Sequence, residues 1–430
     1  MTSPCKIIGI LDNGLEGLSQ SALRDIQSAD LVIGGARTLT MVESETKAHC
    51  EMRDLAGNIP KIPDWIRVAQ NQGERVVVLA TGDPLCHGIA NFLGKKLDKD
   101  ALQIIPNVST IQIACARLGL PLQQVQIVSA HSKDMGDWHG EILHKSRHGL
   151  YPVLQAIQKG VDLAVFTSPE NSPARIARML RDEGYGDDYQ ISVAENLMRE
   201  SERLHEKLQV SDAVNQKFSE PNILILHHLK NSAPTPLFGL ADGEYKQRKP
   251  DKGLITKREV RAVSLARMQL QSDSLVWDIG AGSGSIGLEA ASLCTSGFVY
   301  AMEKNEDDVA IIQQNRKALR RSNYSVVHGK APAGLDDWPD PDAVFIGGSG
   351  GELDELIRLG LDRLRNNGWL VMNFVTFENL NTALETLKSV EADWDVTQLQ
   401  VARSKPILDM NRLTSENPVW IVSARRSSNA

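Results

Sequence analysis

Cysteine is scarce in this chain and never closely spaced. The five cysteines among 430 residues, Cys5, Cys50, Cys86, Cys115 and Cys294, contain no Cys-x-x-Cys pair. That argues against a disulfide framework and against a structural zinc site, and it fits a reducing cytoplasm. Long hydrophobic runs are also missing, since no apolar stretch approaches the ~20 residues that span a bilayer. The opening "MTSPCKIIGILDNG" has no basic region ahead of a long apolar core, so no secretory leader is expected. Basic charge is in deficit as well. With 47 Lys and Arg against 54 Asp and Glu the net charge is −7, the wrong sign for tight non-specific binding to a phosphate backbone. Neither a membrane nor a nucleic acid is therefore the expected partner.

What is present is strand-helix alternation, twice over. "CKIIGIL", "DLVIGG", "RVVVLA", "LQIIPN", "QIVSAH" and "DLAVFTSP" are short apolar runs separated by amphipathic segments. That layout predicts an α/β fold with a substantially parallel sheet. A stretch rich in Pro, Gly and charge, "KNSAPTPLFGLADGEYKQRKPDKG", then interrupts the pattern and reads as a linker with a short strand near "PLFGL". Alternation resumes in "SLVWDIG", "GFVYAME", "YSVVHG", "DAVFIGG", "GWLVMNFV" and "NPVWIVSAR". The expected organisation is a domain over 1–230, a linker over 231–252 and a second domain over 253–430. "TKRE" opens the second domain, and Thr256 with Glu259 reads as a capping box.

Two glycine loops stand out in the second half. In "VWDIGAGSGSIG", Gly280, Gly282 and Gly284 follow a strand and open a helix, so the backbone can approach a ligand without a Cβ in the way. The spacing Gly282-x-Gly284-x-x-Gly287 also satisfies a dinucleotide fingerprint. Asp278, two residues before the first glycine, favours S-adenosyl-L-methionine instead: its ammonium group wants a carboxylate, and it has no pyrophosphate to repel. Glu303, at the end of the next strand, is placed to hold ribose hydroxyls. The second loop, "DAVFIGGSGGEL", has no Gly-Lys-Ser/Thr and so is not a nucleotide cradle. It is expected to face the transferred methyl group from the substrate side, with Gly347, Gly348, Ser349 and Gly350 offering backbone N–H groups to anionic oxygens. Arg258 and Arg261, and Arg403 with Lys405, are candidate carboxylate clamps. The histidines His131, His139, His144 and His148 match no closed zinc pattern, and no metal is expected.

The hydrophobic-hydrophobic-Asp-x-Gly-x-Gly-x-Gly pattern resembles motif I of the class I methyltransferases. Together with "ITKREVRAVSLARM", "GKAPAGL" and "GGSGG", residues 253–425 resemble the decarboxylating methyltransferase domain of cobalamin biosynthesis. That resemblance implies S-adenosylmethionine bound by Thr256, by Gly280, Ala281, Gly282, Ser283 and Gly284, by Glu303, and by backbone at Ala331. Many relatives carry Asp where this chain has Lys330, whose side chain is therefore left out of the expected site. Residues 6–229 resemble the tetrapyrrole methylase fold through "LATGDPLCHGIA", "NVSTIQIACARLGLP", "SAHSKD" and "FTSPENSPARIARML". The turn Gly82, Asp83, Pro84 looks like that fold's cofactor-binding turn, and His131 is carried as a possible site residue. Where the family has a glycine-rich turn this chain reads "GILDNG", and "PGVS" becomes "PNVS", with Asn107 expected to tolerate a left-handed backbone.

The fused pair resembles the bifunctional C-methyltransferases of corrin-ring synthesis. The resemblance implies methylation of two bridge carbons of a tetrapyrrole macrocycle, loss of one acetate carboxyl, and a homo-oligomer. Two other readings stay open at this point. One is a methyltransferase acting on another substrate such as tRNA; the other is an N-terminal half serving as a scaffold beside a single active domain.

Overall fold

The computed structural model describes residues 3–139, 147–229, 236–248 and 255–427. They form two compact units, Met1–Met135 with Lys159–Arg178 and Gly186–Lys230, and Gly136–Gln158 with Met179–Tyr185 and Asn231–Ala430. Among the described residues no helix is long and apolar enough to cross a membrane.

The first unit holds two five-stranded sheets. In one, β1 (Cys5–Ile10), β2 (Leu31–Gly34), β3 (Glu51–Asp54), β4 (Val76–Thr81) and β5 (Leu102–Ile105) lie in the order β3-β2-β4-β1-β5. All four pairings are parallel. The "VVVLA" part of β4 is buried throughout, as a central parallel strand covered on both faces must be. In the other sheet, β6 (Val125–Ser129), β7 (Asp162–Phe166), β8 (Tyr189–Glu195), β9 (Arg203–Gln209) and β10 (Asn222–His228) run β6-β7-β10-β8-β9. Here only β6 and β7 pair in parallel. Asn107 is not left-handed. Its amide donates instead to the carbonyls of Gly9 (3.0 Å) and Gly17 (3.1 Å), tying the end of β1 to the turn behind it. Just beyond it, Ser109 and Gln112 form the capping box of helix Thr110–Arg117.

The second unit is built on a seven-stranded sheet. Its strands are β11 (Leu275–Ile279), β12 (Phe298–Glu303), β13 (Tyr324–His328), β14 (Ala343–Ile346), β15 (Trp369–Phe374), β16 (Asp393–Leu399) and β19 (Val419–Arg425), and β17 (Ala402–Ile407) pairs with β18 (Met410–Ser415) in a separate hairpin. The order is β13-β12-β11-β14-β15-β19-β16, parallel from β13 to β15, with β19 antiparallel to both its neighbours. This is the class I methyltransferase arrangement. The order reverses beside β11, so the carboxyl ends of β11, β12 and β14 flank a crevice where open α/β sheets bind ligands. No strand forms at "PLFGL"; Leu237 and Phe238 are exposed there.

The expected capping box at Thr256 is absent. Lys257 is the N-cap of helix Arg258–Arg267 and makes no side-chain cap, since an ammonium cannot accept a backbone N–H, and Glu259 pairs with Arg403. That helix carries a buried cation instead. Arg261 is 0 % exposed and donates from Nε to Glu289 (2.7 Å) and from Nη1 to the Thr256 carbonyl (2.6 Å). Glu289 also accepts from the backbone N–H groups of Gly239 and Leu240 and from the Tyr245 hydroxyl. Much of the segment read as linker is thus pinned by one buried ion pair.

Candidate functional site

The two glycine loops meet. Gly280 leaves β11 with φ of +69°, and a Cβ there would lie 2.6 Å from the Gly348 nitrogen and 2.8 Å from its Cα. Only glycine permits that approach. The Gly280 N–H donates to the Met302 carbonyl (2.9 Å), and the Gly347 N–H donates to the Ile279 carbonyl (2.9 Å). Glu303, at the tip of β12, accepts from the Gly282 N–H (2.9 Å) through one oxygen and from the Asn305 N–H (3.0 Å) through the other. A cavity of about 280 Å³ opens between these parts, bordered by Gly280, Gly282, Glu303, Ala331 and Gly347 through Gly350. The Gly347 N–H is used inside the sheet, whereas among the described residues those of Ser349 and Gly350 make no hydrogen bond. Gly284, with φ of +77°, is the N-cap of helix Ser285–Leu293, and the buried Ser283 hydroxyl has no partner.

Asp278 does not border this cavity. Its side chain is buried behind the loop, where Oδ2 accepts from the Gly287 N–H (3.1 Å) and Oδ1 accepts no hydrogen bond. Gly287 must be glycine for this, since a Cβ would fall 2.6 Å from the Tyr324 ring. Asp278 thus fastens the loop to the helix. Burial, and to a lesser degree the nearby Glu303 charge, push its carboxyl up from 3.8 to about 7. A carboxyl raised on folding holds its proton in the native state after the unfolded chain has lost it. Its contribution to stability is full below about pH 4, declines as pH rises, and is spent above about pH 7. Asp278→Asn should flatten that decline, on the order of a few kcal/mol, because an amide keeps the Gly287 acceptor without ionising. Thermal midpoints of the second unit compared for both proteins across that range measure the difference.

The expected arginine clamps are engaged elsewhere. Arg258 donates to the Leu240 carbonyl (3.3 Å), Arg261 is buried with Glu289, and Arg403 pairs with Asp242 (2.7 Å) and Glu259. None of them borders the cavity, nor does Thr256. The reason lies in Asp242, an acid from the supposed linker that collects two of these three guanidinium groups; its carboxyl is held below the usual value by Arg403 and Arg261 despite burial. The cations that do border the cavity are Arg248, Lys304 and Lys330. Lys330, left out of the expected site, borders it and pairs with Glu352 (2.8 Å). Asn305 and Asp308 were also missed, although "KNEDD" carries the signal: Asn305 caps helix Glu306–Ala318 by accepting from the Asp308 N–H.

In the first unit two cavities, of about 640 and 440 Å³, share Arg37, Thr81, His87, Gly88 and His131 in their walls. His131, carried from the sequence as a possible site residue, is in the walls of both. Gly82, Asp83 and Pro84 border neither cavity; Gly82, with φ of +71°, instead donates to the Ile10 carbonyl (2.8 Å) and so ties β4 to β1. Thr81 before that turn and His87 after it are the lining residues. Elsewhere, His148 is buried and accepts from the Leu150 N–H (3.2 Å), His139 is exposed, and His144 lies outside the described residues.

Fold and sites define a chain with two methyltransferase modules. Residues 5–210 match the family profile described as Tetrapyrrole (Corrin/Porphyrin) Methylases, and 249–426 match one described as Precorrin methyltransferase domain. The chain is 30% identical over 415 residues to the precorrin-6Y C(5,15)-methyltransferase [decarboxylating] of Sinorhizobium sp, covering 96% of this chain and 94% of the relative. A protein of the same name from Mycobacterium tuberculosis (strain ATCC 25618 / H37Rv) is 27% identical over 380 residues, 87% of each chain. The cobalt-precorrin-6B C(15)-methyltransferase (decarboxylating) of Salmonella typhimurium is 35% identical over 176 residues, 41% of this chain and 91% of its own. The chain belongs to the precorrin-6Y C(5,15)-methyltransferase (decarboxylating) family, and it is a methyltransferase of cobalamin biosynthesis.

Proposed function

We propose that both units bind S-adenosylmethionine, and that the chain methylates two bridge carbons of a precorrin ring and releases one acetate carboxyl as carbon dioxide. The observation that carries this is the contact of Gly280 with Gly348, which puts the cofactor loop and a loop of unused N–H groups on one small cavity. When bound, the cofactor supplies an electrophilic methyl group on a positively charged sulfur. The residues fit it: Gly280 and Gly282 leave room for close approach, and the two backbone hydrogen bonds of Glu303 leave lone pairs for ribose hydroxyls.

The protein's work is placement more than proton transfer. The electron-rich ring carbon is itself the nucleophile, so in-line approach and exclusion of water carry the rate. Backbone N–H groups of Ser349 and Gly350 receive ring carboxylates at the mouth, where Lys304 and Lys330 add charge. For decarboxylation the breaking carbon–carbon bond leaves its electron pair in the conjugated ring, and a proton from solvent later fills the new methyl group. The test is turnover with a precorrin substrate, read by mass as gain of two methyl groups and loss of carbon dioxide. Glu303→Gln should weaken S-adenosylmethionine binding to the second unit about 10- to 100-fold, the worth of charge-assisted hydrogen bonds. Calorimetry on the full chain separates that loss from binding at the first unit.

A further inference from the structure

Arg37 is the one Lys or Arg that borders either cavity of the first unit among the described residues, and it borders both. Its position is built. It sits in the first turn of helix Ala36–Val42, directly after β2, with Nη2 3.3 Å from Asp12 Oδ1 and 3.4 Å from the Thr81 hydroxyl. Asp12 is 7% exposed and is held from its other oxygen by Arg199 Nε at 2.5 Å. Arg199 is itself fixed beside Asn196. One carboxylate therefore serves two guanidinium groups, and Arg37 is, among the described residues, the one Lys, Arg, Asp or Glu on the wall of the larger cavity, whereas the smaller is also bordered by Asp12 and Glu220. Among the described residues Nε and Nη1 of Arg37 make no hydrogen bond. The larger cavity is otherwise lined largely by apolar side chains, among them Leu55, Ile59, Ile89 and Phe92, a surface for a flat ring.

We propose that Arg37 receives a carboxylate of the ring substrate in the first unit, and that Asp12 is the residue that positions it. The proposal rests on the tetrapyrrole reading above. It also gives a use to "GILDNG": the family's glycine-rich turn is replaced by a segment whose acid aims a guanidinium. With Nη2 engaged, the unused Nε and Nη1 N–H groups each offer a single charge-assisted hydrogen bond to a carboxylate oxygen, from donor positions that the single ammonium of a lysine does not reproduce.

The test uses the full chain. Arg37→Met should raise KM for the precorrin about 30-fold or more with kcat changed only a few-fold, and Arg37→Lys should fall between the two. The S-adenosylmethionine affinity and thermal midpoint should stay at wild-type values, since Asp12 keeps Arg199. Asp12→Asn should raise KM in the same direction by less. As a probe, wild type should bind uroporphyrin more tightly than its methyl ester, and Arg37→Met should lose much of that preference. If wild type is active and Arg37→Met leaves both KM and the preference unchanged, the assignment is wrong. If Arg37→Met instead abolishes cofactor binding, Arg37 belongs to the cofactor's subsite and the proposal fails. If wild type neither binds nor methylates a tetrapyrrole, the underlying reading falls, and this one with it.

Discussion

Gly280→Ala should abolish methyl transfer at the second site, at least about 100-fold in kcat/KM, the loss expected when reacting groups are misplaced by about 1 Å. Two costs coincide at this position. The residue holds φ of +69°, and its missing Cβ is the space that Gly348 occupies. An alanine must push apart two loops that are each anchored to the sheet, Gly280 through Met302 and Gly347 through Ile279. The proposed cofactor pocket and the proposed carboxylate-binding loop would then separate together. Gly348→Ala is the matched control: its Cβ would come no nearer than 3.9 Å to Gly280 Cα, so the fold and cofactor binding should survive. Its methyl group sits at the cavity wall, and the loss should appear in the ring substrate's KM. Equal cofactor affinity in both variants would contradict this account of the loop contact.

Arg261→Met should destabilise the second unit by about 3–5 kcal/mol, the penalty for leaving a buried charge without its partner. Arg261 and Glu289 are 0% and 1% exposed, so neither can recover its lost interactions from water. The same change releases the carbonyls of Leu240 and Thr256 and removes the guanidinium from the Tyr245 ring. Calorimetric unfolding should show the second unit's transition moved down while the first unit's stays in place. Replacing Glu289 as well, in Arg261→Met/Glu289→Gln, should recover part of the loss, because the uncompensated charge is then gone. A double variant as unstable as the single one would assign the effect to packing instead of charge.

The strand-helix alternation and the glycine loop after β11 were legible because each is a local signal, whereas the placing of Gly136–Gln158 and Met179–Tyr185 with the second unit was not. A run such as "VVVLA" is hydrophobic on every face whatever surrounds it, and "DIGAGSG" carries its backbone requirement in its glycines. The β16 edge of the seven-stranded sheet and the separate β17–β18 hairpin were not legible. β16 is partly exposed along its length and β17 and β18 are mostly exposed, so their composition has no buried periodicity to betray them. The linker misled for a related reason: residues 239–245 look polar and irregular, yet Asp242 and Tyr245 are consumed by partners far along the chain.

The sequence by itself determined which residue types could approach a cofactor. Gly280 and Gly282 needed no Cβ, Glu303 came at a strand end, and Ser349 sat among glycines. Only the tertiary structure decided which of the charged candidates serve the site, because a charge is assigned by its nearest opposite charge in space. Arg258, Arg261 and Arg403 were drawn off by Leu240, Asp242, Glu259 and Glu289, while Lys330, paired with Glu352, and Arg37, paired with Asp12, still border cavities. Asp278 shows both parts. Its place before the loop was written in the chain, but its carboxylate lies buried off the cavity, where it accepts the Gly287 N–H and fastens the loop.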